Sequence, residues 1–80
     1  MDAKRFYTVC HALKEGARVV AVTMREVYFI PRGATGQLCF NDSGTSLVFV
    51  DDAGGGLAVT CHNIDVFSFA IFARKATPTP

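Results

Sequence analysis

Between residues 37 and 61 three short apolar runs, QLCF, SLVFV and LAVTC, are separated by NDSGT and DDAGGG. Each run is too short for a stable helix, and each gap is made of residues that turn a chain. Leu47 and Phe49 alternate with Val48 and Val50; Leu57, Val59 and Cys61 alternate with Ala58, Thr60 and His62. Alternation with hairpin-sized gaps fits a three-stranded antiparallel meander, each strand turning one face to a core. That meander limits the fold class to sheet-rich, and the flanking segments must be accommodated around it.

Immediately upstream, FIPRGATGQL spans residues 29 to 38. Pro31 supplies no backbone donor, so a strand must end or lie at an edge there. Gly33 and Gly36 permit a positive φ, which predicts a sharp reversal leading into QLCF. Before it, RVVAVTM is a β-branched run with Val20, Val22 and Met24 on one side of the pleat, and REVYFI continues as a strand or an extended loop arm. Residues 3 to 14 place Phe6, Val9, Cys10 and Leu13 at helical spacing. Asp2 is an available N-cap and Gly16 a stop. Phe-Tyr-Thr-Val is also β-prone, so the segment reads as a helix or an extra strand. At the other end IDVFSFAIFARKA is apolar at nearly every position from Ile64 to Ala73. It predicts a strand buried on both faces or paired with another chain. Residues 1–76 read as one small β-barrel domain and 77–80 as a disordered end.

With 80 residues, such a domain buries only about 60–65% of the surface its unfolded chain exposes. Half of the residues are nonetheless apolar, which predicts either a dense core or apolar surface left for a partner. The net charge is +1, too small for a field that would draw in nucleic acid or a membrane. Residues 1–37 are mildly basic, with Lys4, Arg5, Lys14, Arg18, Arg25 and Arg32 against Asp2, Glu15 and Glu26. Three cysteines, at positions 10, 39 and 61, are an odd number without the close spacing of a disulfide framework. The charged start Met1 to Arg5 precedes no long apolar stretch, and no apolar run is long enough to span a bilayer. A cytoplasmic setting is the expectation.

The order of these pieces resembles the small Src-homology-3-like (SH3-like) barrels of the KOW and nitrile-hydratase-β kind. Lys14, Gly16, Arg18 and Val19 match an entry strand of the form K-x-G-x-R-V. Ile30, Pro31, Gly33, Gly36 and Leu38 match I-P-x-G-x-x-G-x-(L/V), and Asp51 and Ile64 match the later strand end and closing element. The likeness covers residues 13 to 67. It implies an all-β fold, an antiparallel barrel of about five strands, with the amino-terminal helix or strand added to it. Barrels of this kind bind proteins, nucleic acids or other subunits, so the fold does not choose among them.

Several residues invite chemical readings. Cys10-His11 and Cys61-His62, with Cys39, have thiolates and imidazoles to offer a metal. Adjacent strand residues face opposite sides, however, and the spacing lacks a zinc signature. The plainer reading is small buried thiols and a solvent-facing His62, so no metal and no cofactor is expected. A Cys–His enzyme would need an orienting third group that nothing marks, and no catalytic residue is assigned. Asp51-Asp52 before glycines is turn chemistry. RGATG leads into a strand and lacks the P-loop lysine, so it is a turn before it is a phosphate cradle.

What remains is surface. Phe6, Tyr7, Phe67, Phe69, Ile71 and Phe72 exceed what the interior of a small barrel holds. Either the amino-terminal segment covers them or they form a subunit interface; the expectation is a homodimer, with Phe67, Phe69 and Ile71 carrying self-association. Arg25, Tyr28, Phe29 and Arg32 lie on the arm beside the glycine turn and are the expected surface for a protein partner. The same mixture of basic and aromatic side chains makes a nucleic-acid-binding barrel the alternative. The overall expectation is a non-enzymatic binding or adaptor module that self-associates, of the sort suited to an accessory protein of a phage or mobile element.

Overall fold

The computed structural model describes residues 2–73. A helix, α1 (Ala3–Lys14), is followed by five strands, β1 (Arg18–Thr23), β2 (Thr35–Phe40), β3 (Leu47–Asp51), β4 (Gly56–Val59) and β5 (Phe67–Phe72), with a 3-10 turn at Ile64–Val66. The sheet order is β4-β3-β2-β1-β5, and every neighbouring pair is antiparallel. The chain therefore crosses back after β4 to place its last strand on the far side of β1. The end expected at 77–80 lies outside the described residues.

The amino-terminal segment is a helix because both of its ends are chemically closed. The Asp2 carboxylate accepts the Arg5 backbone N–H at 3.0 Å. At the other end Gly16, at φ 87°, lets Gly16 N–H reach Leu13 O and Ala17 N–H reach Ala12 O, both at 3.0 Å. That pair of bonds is a Schellman motif, which satisfies the last carbonyls and stops the helix. Val9 is wholly buried, and Phe6, Cys10 and Leu13 pack beside it on the core. The β-prone Phe-Tyr-Thr-Val run is overridden by two good caps and one apolar stripe.

The meander stands as β2, β3 and β4, in register Leu38 with Phe49 and Phe49 with Leu57. Phe49 and Phe67 are both fully buried, their ring centroids 4.8 Å apart, and Leu38, Ile64 and Val19 close around them. In β1 the core parity belongs to Val19, Ala21 and Thr23, leaving Val20 and Val22 on the opposite face.

Several local expectations need correction. Gly33 does have positive φ, at 85°, but Gly36 does not. Gly36 lies inside β2, opposite Asp51, where a Cβ would drive into the Val50 carbonyl and lie 2.9 Å from the Phe49 ring. Its role is close approach of two strands rather than reversal. β4 ends at Val59, and Thr60 to Asn63 form a turn held by Thr60 N–H to Asn63 Oδ1 at 2.8 Å. Cys61 and His62 are thus turn residues and do not alternate across a pleat. The last apolar run is not one strand: Ile64–Val66 is the 3-10 turn, and only Phe67–Phe72 is extended. Nor is that strand covered on both faces, because Ser68, Ala70 and Phe72 on its outward parity are exposed; it lies at the sheet edge with β1 as its neighbour.

Candidate functional site

β1 and β2 are joined by residues 24–34, an excursion whose base is fastened at Thr23. That side chain is 2% exposed; its hydroxyl donates to Pro31 O at 2.7 Å and accepts Ala34 N–H at 2.9 Å. Gly33 N–H bonds Thr23 O at 2.8 Å, and Met24 N–H bonds Val66 O at 2.7 Å. Ile30 is buried in the core and Val27 packs against it. The excursion is therefore tied down at its base and by alternate apolar anchors.

Its tip is a two-residue turn. Val27 N–H bonds Ile30 O at 2.9 Å and Ile30 N–H bonds Val27 O at 2.8 Å, with Tyr28 at φ 44° and Phe29 at φ 71° between them. Two consecutive positive φ values inside a doubly bonded four-residue turn are the signature of type I′, whose usual occupants are Asn and Gly. Bulky aromatic residues are poorly suited to that backbone, at a cost of about 1–3 kcal/mol each. The rings recover little from the fold: Tyr28 is 73% exposed and Phe29 fully so. Among the described residues they are the two non-glycine residues with positive φ.

The partner residues read from the sequence come together here, since Arg25 and Arg32 flank the turn and are exposed. Arg25 leans towards Asp65, 3.9 Å away, while no carboxylate among the described residues pairs with Arg32. Met24, 54% exposed, adds an apolar side chain at the base of the excursion and was not marked as a site by sequence reasoning. Met, Tyr, Phe and Arg are the residue types enriched at the centres of protein interfaces.

The residues read as self-associating are dispersed. Phe67 is withdrawn into the core against Phe49, because its position on β5 has the core parity shared with Thr23. Phe69 is half-buried beneath the Arg5 guanidinium, 4.8 Å from its ring centroid. Ile71 remains exposed, and Phe72, on the opposite parity under Arg18, is the larger free side chain of the strand.

The face of the sheet away from the core is itself apolar. Val20, Val22, Cys39 and Val48 are half-buried there, and among the strand residues of that parity Arg18 alone carries a charge. A groove of about 430 Å³ crosses it, lined by Val20, Val22, Gln37, Ser68 and Ala70, with Asp52 at one side. The Thr35 hydroxyl donates to Asp52 Oδ2 at 2.8 Å, which holds that carboxylate at the groove. A second groove of similar size lies between α1, the β2–β3 turn and the end of β4, lined by Phe6, Tyr7, Phe40 and Leu47, with Lys14 beside it. Alternating valines on both parities of RVVAVT were the available signal for the outer face, since a strand covered on one side alone would show polar residues on the other.

No family model, curated protein or solved structure matches this chain. Among the described residues no three His, Cys, Asp or Glu side chains gather into a possible metal cluster. The three cysteines are free and half-buried, and burial pushes the Cys10 thiol above its ordinary pKa, with Lys14 opposing in part. Among the described residues no helix is long and apolar enough to cross a membrane.

Proposed function

We propose that this chain is a non-enzymatic binding module, built as a small SH3-like barrel of the KOW and nitrile-hydratase-β kind, that engages a protein through its aromatic turn and self-associates. The observation that carries the reading is Tyr28 and Phe29 held exposed in left-handed backbone. Strain without compensation inside the fold is what a binding element looks like, because the return comes only in the complex. Self-association is supported by β5, an edge strand that has neither charge nor proline to protect it, with Ile71 and Phe72 exposed. The barrel reading is supported by the return of β5 to β1 and by the close approach of the paired strands β2 and β3 at Gly36. A reducing compartment, the cytoplasm, suits three free thiols.

The reading has a test that does not need the partner. Replacing Tyr28→Asn and Phe29→Gly together installs the preferred type I′ pair. The double variant should unfold at higher denaturant, by up to about 1–3 kcal/mol of added stability for each residue relieved. A lower midpoint would mean that the rings serve the fold, and the binding reading would fail. The nucleic-acid alternative draws on Arg32, which pairs with no carboxylate among the described residues, beside two stacking surfaces. It predicts oligonucleotide affinity that falls steeply between low and moderate salt.

A further inference from the structure

We infer that the aromatic turn of one copy docks into the outer-face groove of a second copy of this chain. This rests on the reading of the turn as a binding element and names its occupant. The turn is convex, with Phe29 wholly exposed, and it needs a concave apolar receptor. Two grooves of about 430 Å³ lie among the described residues, within the size range of sites that enclose a small aromatic group.

Charge separates the two grooves. Arg32 stands three residues from Phe29 in the chain, so a receptor must offer an acid near its mouth. Asp52 lines the outer-face groove, whereas Lys14 lines the other and would repel the arriving guanidinium. The outer-face groove is also the one left uncovered, because α1 packs through Val9 on the core side of the sheet. Its walls are apolar on β1 and small on β5, where Ser68 and Ala70 leave room for a ring.

Connectivity completes the fit. The knob and one wall of the groove belong to one hairpin: residues 24–34 join β1 and β2, and those strands supply Val20, Val22 and Gln37 to the groove. A twofold axis therefore makes the contact twice, Phe29 of each copy entering the groove of the other and Arg32 meeting Asp52 across the axis. Two small contacts closed by one symmetry operation reinforce each other, since the second forms at high effective concentration once the first is made.

The test is the mass of the full chain in solution, by sedimentation equilibrium from low to high micromolar concentration, with folding of each variant checked by circular dichroism. The wild-type chain should dimerise. Tyr28→Asn with Phe29→Gly, the variant expected to fold best, should weaken the dimer by at least about tenfold. Arg32→Asp and Asp52→Arg should each weaken it about tenfold, and the two together should restore it. A wild-type chain that stays monomeric overturns the inference and the self-association, yet leaves the turn as a binding element for another protein. A dimer that survives the Asn-Gly exchange but is lost on Phe72→Lys overturns the inference and assigns the contact to the β5 edge. Failure of the double charge reversal to recover what the single reversals lose also overturns it, because the Arg32–Asp52 pairing is what selects this groove.

Discussion

Tyr28 and Phe29 show how a residue can be unfavourable for its own fold and still be informative. An exposed aromatic is ordinary when it stands alone on a surface; two in succession on a backbone that favours glycine are not. Gly36 is the converse case, a residue whose absence of a side chain is required by geometry. Gly36→Ala would place a methyl group against the Val50 carbonyl and the Phe49 ring. The expected cost is about 3 kcal/mol or more, read as a fall in the urea midpoint, because backbone rather than a flexible side chain must move. Cys10 sets a pH limit of the same local kind. Burial disfavours its thiolate, so the folded chain keeps the proton to higher pH than the unfolded chain. Below the ordinary pKa of 9.0 both states are protonated and Cys10 contributes no pH dependence. Above it the unfolded chain ionises first, and stability falls as pH rises until the folded thiol ionises too. Thermal melts of the wild-type chain should therefore drop more steeply above pH 9.0 than those of Cys10→Ala.

Among the elements, α1 and β5 are coupled by one side chain. Arg5 Nη2 donates to Phe67 O at 2.9 Å and its guanidinium covers the Phe69 ring, while its backbone N–H holds the Asp2 cap. The helix thus fastens the strand that the chain delivers last to the sheet. Arg5→Met keeps the aliphatic stem and removes the charge, and it should cost about 1–2 kcal/mol from the lost charged hydrogen bond and ring contact. Hydrogen exchange offers the sharper readout: amides of β5 should exchange faster in the variant than those of β2 and β3. Uniform loss of protection would show that Arg5 acts on the whole fold. The alternation of the meander made β2 and β3 legible from the chain, because local period and burial agree there, whereas AKRFYTVCHALK fits a helix or a strand until its caps and packing decide. The run from Ile64 misled, since a 3-10 turn and an edge strand are both apolar here and share no period that separates them.

For the whole molecule, the sheet leaves β4 and β5 as its two edges and an apolar outer face between them. Half the residues are apolar, yet the core absorbs only one parity of each strand. The surplus phenylalanines that first suggested an interface divide accordingly, Phe67 to the core and Phe72 to the surface. Whether copies meet turn-to-groove or edge-to-edge follows from the mass of the Asn-Gly and Phe72→Lys variants.

By itself the chain of residues determined the turns around the meander, the extended runs between them, the Asp2 and Gly16 ends that a helix would use, and that Arg25, Tyr28, Phe29 and Arg32 share one arm. These depend on backbone preference and side-chain period, which act over a few neighbours. Only the tertiary structure decided that Gly36 serves the close approach of β2 and β3, that β5 lies beside β1, that Tyr28 and Phe29 sit at positive φ, and that Asp52 borders an apolar groove. Those facts arise from pairing between segments far apart in the chain, and local preference carries no information about which distant segment will be the neighbour.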